Sequence, residues 1–157
     1  MKLKVFIVAL VVVFISSCGG NEKKEDKTSQ PSEETKEVVE VDPMKDKGIG
    51  PITSITLGEI DETMAAKGKV VFVAKCSACH KISKRVVGPA LAGVTERRSS
   101  EWIMNMILNP EKMVAENPIA KKLLAEYLAP MANQNLTEEE ARLILEYFRT
   151  KTSTTKE

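Results

Sequence analysis

Histidine is nearly absent from this chain of 157 residues, which contains only His80. Cysteine is scarce too, because Cys18 lies far upstream of the pair Cys76 and Cys79. A structural zinc site needs about four ligands, so these residues do not favour one. Aromatic residues make up 4% of the sequence. A domain of about a hundred residues with so few rings gains stability by burying a large flat ligand.

Strong net charge and period-two patterning are also missing. The formal net charge is +1, which gives no indication of nucleic-acid binding. No stretch shows sustained alternation of apolar and polar residues, so we predict an all-α domain. The apolar run over residues 5–15 is shorter than the roughly 20 residues that a membrane-spanning helix needs.

The N-terminus has the features of an export signal. A basic start and the apolar run lead into Ile15-Ser16-Ser17-Cys18. This motif resembles a bacterial lipoprotein box, although leucine is the usual residue at the position of Ile15. The resemblance implies a signal peptide over residues 1–17, cleavage before Cys18 and lipidation of its thiol. The alternative is an ordinary signal peptide followed by an incidental cysteine, and both interpretations predict export.

The segment from Gly19 to Lys47 has the composition of a flexible tether. It contains six lysines and nine acidic residues, a net charge of −3, and no apolar periodicity. Such a segment buries too little apolar surface to fold by itself. We therefore predict a lipidated cysteine with a tether over residues 18–47, and a folded domain over residues 48–157. The predicted location is the periplasmic face of a membrane in the cell envelope.

The motif that carries the chemistry is Cys76-Ser77-Ala78-Cys79-His80. Two cysteines two residues apart, followed directly by histidine, predict a site of covalent c-type haem attachment. Each thiol adds to one haem vinyl group, and His80 is then placed to bind the iron as an axial ligand. A thioredoxin-like motif would lie in a βαβ pattern, which the sequence lacks. Because the chain has no second histidine, the sixth iron ligand is another side chain or is absent.

Capping residues predict four helices after an extended lead-in over residues 51–57. Loops are expected over residues 81–99 and around Met131. The predicted helices start at Asp61 or Thr63, at Ser99 or Ser100, at Asn117-Pro118, and at Thr137 with Glu140 as a capping box; they end near Lys75, Asn109-Pro110, Pro130 and Thr150.

Over about residues 58 to 150 the sequence resembles a class I cytochrome c. Gly68 and Phe72 match a glycine–aromatic pair in the family's N-terminal helix, and Ile144 and Tyr147 match an aliphatic–aromatic pair in its C-terminal helix. The resemblance implies an all-α, cytochrome c-like fold wrapped around one covalently attached haem c. It also implies that the two helices cross at Gly68, where a side chain would not fit.

The same resemblance implies partners for the haem. The carbonyl of Pro89 is expected to accept a hydrogen bond from His80 Nδ1. Trp102, Arg97 and Arg98 are expected to contact the haem propionates, although Trp102 is equally well interpreted as a core residue and the arginines as solvated.

The family places a methionine sulfur as the sixth ligand, in a loop shortly before the last helix. Met131 occupies that position, so we predict His80 and Met131 as the two iron ligands. Met113, expected in a loop, is the second choice. Met104 and Met106 lie in a helix with strong apolar periodicity, so we interpret them as core residues.

These features imply a one-electron carrier rather than an enzyme. The expected partners are redox proteins, namely a quinol-oxidising complex and a terminal oxidase or reductase, and the protein is expected to be a monomer. Gly48-Ile49-Gly50-Pro51 and Arg97-Arg98 also resemble a subgroup associated with periplasmic respiratory reductases. Two alternatives stay open: a five-coordinate haem sensor of gas or redox state, and a haem subunit of a larger oxidoreductase complex.

Overall fold

The computed structural model describes residues 41–155, and within them it is built from six α-helices and contains no strand. No helix in this range is long and apolar enough to cross a membrane. The predicted signal peptide, Cys18 and most of the predicted tether lie outside the described residues. The helices are α1 (Glu62–Lys75), α2 (Val94–Arg97), α3 (Ser100–Leu108), α4 (Pro110–Glu116), α5 (Pro118–Tyr127) and α6 (Glu138–Arg149).

The predicted helix starts are confirmed by their capping bonds. Asp61 accepts from the backbone N–H groups of the first turn of α1 at 2.9 Å. The side chains of Ser99 and Asn117 accept in the same way at α3 and α5, at 3.1 and 3.0 Å. Thr137 and Glu140 form the capping box of α6. Each bond satisfies a backbone donor that has no partner within the helix.

Two helices were not predicted. Helix α2 lies in the segment 81–99, where we expected only a loop, and its four residues are too few to show a periodic pattern. Helix α4 occupies the segment around Met113, also expected to be a loop. Pro110 explains α4, because proline ends the preceding helix but fits the first position of the next one. Helix α5 ends at Tyr127, earlier than the predicted end at Pro130.

Helices α1 and α6 cross at Gly68, as predicted. A Cβ atom on Gly68 would overlap the Leu143 carbonyl group and lie 3.0 Å from Ile144 N, so the two backbones touch. Beside the crossing, the Phe72 ring lies 5.5 Å from the ring of Tyr147, measured between centroids. This contact fixes the end of α1, which leads directly into the Cys76 motif.

A buried carboxylate reinforces the same helix pair. Glu146 on α6 is fully buried and forms ion pairs with Arg142 and, at 2.6 Å, with Arg149. It also accepts from the backbone N–H of Asp61 at 2.9 Å, just before α1. Burial alone would raise the pKa of Glu146, but the bonds from Arg142 and Asp61 and the two positive charges lower it overall.

Residues 46–52 form a strap that is hydrogen-bonded to the helices. The Asn105 side-chain amide donates to Lys47 O at 2.9 Å and to Ile52 O at 2.8 Å, and its oxygen accepts from Ile52 N at 3.0 Å. Ser99 Oγ donates to Asp46 O at 2.5 Å. The folded unit therefore begins ahead of the predicted boundary at residue 48.

Candidate functional site

The motif folds into a tight turn at the end of α1. The N–H of Cys76 donates to Phe72 O at 2.9 Å, and the N–H groups of Cys79 and His80 donate to Cys76 O at 3.1 and 2.9 Å. Neither thiol is in a disulfide. Cys79 is exposed, whereas burial raises the pKa of the half-buried Cys76 thiol to about 11.

The His80 ring is oriented by the loop that follows it. Nδ1 of His80 lies 3.2 Å from the carbonyl oxygen of Pro89, which is the contact predicted from the sequence. A carbonyl only accepts, so this bond requires a proton on Nδ1 and leaves Nε2 with its lone pair free to bind a metal. A Cβ atom on Gly88 would lie 2.7 Å from Nδ1, so the ring rests against bare backbone.

A cavity of about 590 Å³ opens beside the motif. Cys76, Cys79, His80 and Met131 all contribute to its wall, although Met131 is far from the motif in sequence. Most of the remaining wall is apolar and comes from α3, α5, α6 and the loops beside them, including Ile103, Ile107, Leu123, Leu124, Ile144 and Phe148. Two thiols and an imidazole on an apolar cavity match the attachment chemistry and the hydrophobic faces of a haem.

The methionines considered as iron ligands differ in whether they line the cavity. Met113 is fully buried away from the cavity, and its sulfur accepts from Ile49 N–H at 3.0 Å, so it does not lie where the second-choice ligand was expected. Met104 is buried and also does not line the cavity. Met131 and Met106 are the methionines of the described residues that do. Met106 lies within α3, whereas Met131 lies in the loop between α5 and α6.

The three residues predicted to contact propionates all line the cavity. The Trp102 indole N–H donates to Asn117 Oδ1 at 3.2 Å, an arrangement that matches the core interpretation. Arg97 donates to the carbonyls of Ala92 and Ala90 at 2.6 and 2.7 Å. Each of these two side chains therefore has partners within the protein.

Arg98 also has a protein partner, because its Nη1 donates to Arg97 O at 2.6 Å, but it keeps one unpaired donor. Its guanidinium carbon lies 5.3 Å from the centroid of the Trp102 ring, and its Nε is buried without a hydrogen-bond partner. Burial lowers the pKa of Arg98, the neighbouring Arg97 lowers it further, and Asp46 opposes the shift. A half-buried cation with an unpaired donor is stabilised by an anionic oxygen, so this wall suits a haem propionate.

Sequence reasoning missed two contacts at this cavity. Asn117 was interpreted only as a helix cap, but it also holds Trp102 and donates to Asp46 Oδ2 at 2.7 Å. Arg85 was considered only as part of a basic rim, but it stacks on Tyr127 at 4.2 Å from the ring centroid. Neither pair shares a helix or a motif, so spacing along the chain gave no signal.

Comparisons with known proteins point to one family. The family model described as cytochrome c matches residues 65–152. A cytochrome c-553-like protein of Synechocystis is 33% identical over 69 residues, which are 41% of this chain and 66% of that protein. Cytochrome c2 of Rhodopseudomonas palustris is 54% identical over 35 residues, which are 22% of this chain and 30% of that protein. The matches thus span less than two thirds of either curated relative.

Solved structures resemble this chain over a larger share of its length than the curated relatives do. A cytochrome c from Rhodothermus marinus is 45% identical, with a TM-score of 0.63 over 64% of this chain and 88% of that one. An engineered form of it with a bound carbene intermediate is also 45% identical, with a TM-score of 0.60 over the same shares. The family model covers more than half of the sequence and the fold is the helical cytochrome c fold, so this chain belongs to the cytochrome c family, whose cofactor is covalently bound haem c.

Proposed function

We propose that this protein is a monohaem electron carrier, tethered to a membrane, with His80 and Met131 as the axial ligands of the haem iron. Cytochromes c are electron carriers that act with redox partners, and that general role comes with the family. The ligand pair, the tether and the partners are the specific parts of the proposal.

One observation carries the ligand assignment. His80 is fixed by Pro89 with Nε2 free, and Met131 contributes a thioether to the wall of the same cavity. The haem, when bound, supplies a one-electron Fe(II)/Fe(III) couple. The chain's own residues orient the imidazole, offer a soft sulfur ligand that raises the reduction potential, and exclude water with an apolar wall.

Replacing Met131 with alanine tests the ligand directly. We expect the oxidised optical spectrum to change and the reduction potential to fall, because a thioether ligand stabilises the reduced iron. Met106→Leu is the matched control, since it removes the other thioether at the cavity while keeping an apolar side chain. An unchanged spectrum and potential in Met131→Ala would exclude Met131, and a change confined to Met106→Leu would assign the ligand to α3.

Carbon monoxide distinguishes the carrier from a five-coordinate sensor. A carrier with Met131 bound to the iron resists carbon monoxide at neutral pH, because the ligand must leave first. Ready binding by the native reduced protein would favour the sensor instead. The measurement needs only the purified haem-loaded protein.

The membrane anchor rests on the sequence around Cys18, which lies outside the described residues. We propose that lipidation of Cys18 holds the protein at the periplasmic face of a membrane, and that residues 19–45 let the folded domain reach its partners. Cys18→Ser should move the protein from the membrane fraction to the soluble fraction of broken cells. If both forms fractionate with the membranes, the lipid is not the anchor.

A further inference from the structure

The loop that carries Met131 is weakly tied to the rest of the fold. In the described part of the chain, residues 129–136 form no backbone–backbone hydrogen bond. Asn133 reaches Leu108 O and Glu111 Oε2, each at a long 3.4 Å. Met131 and Leu136 add apolar contact with the core. A loop with so few bonds is open to local unfolding unless its ends are well held.

The end of the loop next to α5 is held by Arg85. Its guanidinium carbon lies 4.2 Å from the centroid of the Tyr127 ring, and its Nη2 donates to Glu126 O at 3.4 Å. A cation over an aromatic face is attracted by the electrons of the ring, and a cation beside the last carbonyls of a helix is favoured by the helix dipole. Directly after this contact, Leu128 turns the chain out of the helix with a left-handed φ of 54°.

Arg85 belongs to a segment that is anchored to the haem motif. In that segment Gly88 N donates to Cys79 O at 2.9 Å, and Val86 N donates to Gly88 O at 3.2 Å. Arg85 and Tyr127 both line the haem cavity. Their contact therefore joins the side of the cavity that carries His80 to the element from which the Met131 loop starts.

We propose that Arg85 and Tyr127 form a latch, acting as positioning residues that keep the Met131 loop closed over the haem cavity. The consequence for the iron rests on the proposed ligation by Met131, whereas the mechanical role does not. Without the latch, the loop opens more often, Met131 leaves its place more often, and the sixth position of the iron becomes accessible to small ligands.

Hydrogen exchange on the haem-loaded protein tests the mechanical role. Arg85→Gln and Tyr127→Leu should each accelerate exchange of the hydrogen-bonded amides of Leu128 and Asn135 by about threefold, the factor expected for loss of one partly exposed cation–π contact. Lys84→Gln removes a neighbouring exposed cation and Tyr127→Phe keeps the ring, so both controls should exchange as the native protein does. The double variant should exchange no faster than either single variant, because each change removes the same contact.

Unchanged exchange in Arg85→Gln and Tyr127→Leu would overturn the latch, and so would fully additive effects in the double variant.

Imidazole binding to the oxidised iron provides the second readout. Its affinity should rise by about threefold in the two latch variants and stay constant in both controls, because a larger open fraction raises the apparent affinity.

The two proposals fail in distinguishable ways. If Met131→Ala leaves the spectrum unchanged while Arg85→Gln still accelerates exchange, the latch is supported and the ligand assignment is overturned. If Met131→Ala changes the spectrum while the latch variants alter neither exchange nor imidazole affinity, the ligand assignment is supported and the latch is overturned.

Discussion

At the scale of single residues, the site depends on how tightly His80 is held. Pro89 O accepts from Nδ1, and Gly88 leaves no side chain between the ring and the backbone. The role of the Gly-Pro pair was implied by the family resemblance, because the pair stands at the matching place after the motif. The hydrogen bond from the Trp102 indole to Asn117 was not predicted, because it depends on where α5 packs beside α3.

Gly88→Ala should displace the imidazole. The new Cβ would lie 2.7 Å from Nδ1, so the ring has to move and its bond to Pro89 weakens. A histidine that loses this bond is a less basic ligand, so we expect the reduction potential to rise. Redox titration measures the shift. Gly58→Ala is the matched control, since nothing lies within 4 Å of its added carbon, and equal potentials in both variants would contradict the argument.

At the scale of helices, the α1–α6 crossing was predictable and the short helices were not. The Gly68–Phe72 and Ile144–Tyr147 pairs match the two helix pairs of the family, and that resemblance implied the crossing. Helix α4 is stabilised by tertiary contacts, shown by Met113 buried against the strap and bonded to Ile49. Its seven residues form only about two helical turns, which are too few for apolar periodicity to distinguish a helix from a loop.

Gly68→Ala should destabilise the fold by about 3 kcal/mol, because the added carbon overlaps the backbone of α6 and the helices must separate. The better helix propensity of alanine returns about 1 kcal/mol at most. Chemical denaturation measures the loss. Lys69→Ala changes an exposed position of the same helix and should have little effect. If Gly68→Ala were as stable as this control, the close crossing would be wrong.

Glu146→Gln should cost about 3 kcal/mol at neutral pH, because it leaves Arg142 and Arg149 without their buried partner. The pKa of Glu146 in the native state is lowered from its ordinary 4.5. The ionised carboxylate therefore contributes its full stabilisation at pH values above 4.5. This contribution disappears as the pH falls through the lowered pKa. The stability difference between the native protein and Glu146→Gln should therefore shrink in acid, and a difference that stays constant with pH would contradict the assignment.

At the scale of the whole molecule, the sequence predicted the all-α fold and the haem motif because both are encoded locally or by family pattern. The cavity wall was predicted less well. Arg98 was one weak choice among several, and only packing shows that its Nε is buried and unpaired. Likewise Arg85 and Tyr127 are brought together by the fold, not by any motif that contains both.

Charge near the cavity should affect electron exchange. Lys75, Lys81, Lys84 and Arg85 are exposed beside the motif, and two of them line the cavity. Exchange with an acidic redox partner should slow as salt increases, since screening weakens steering, and Lys81→Glu should slow it further. Stopped-flow measurements test this, with Lys121→Glu, an exposed change outside the cavity wall, as the control. Rates that do not depend on salt would indicate an ordinary solvated face.

The strap decides where the folded domain can be cut for study. A fragment that begins at residue 53 would lose Lys47 O and both backbone groups of Ile52, so the Asn105 amide would lose three hydrogen bonds to the protein. Each such hydrogen bond contributes about 0.5–1.5 kcal/mol, so this fragment should melt well below one that begins at residue 42.

The same cut reaches the haem pocket. Asp46 holds Asn117, and Asn117 holds the Trp102 indole at the cavity wall. Removing the strap therefore loosens a wall residue through two hydrogen bonds, without touching the cavity itself. Potentials and ligand affinities measured on a fragment that is too short would describe a pocket with a mobile tryptophan rather than that of the native protein.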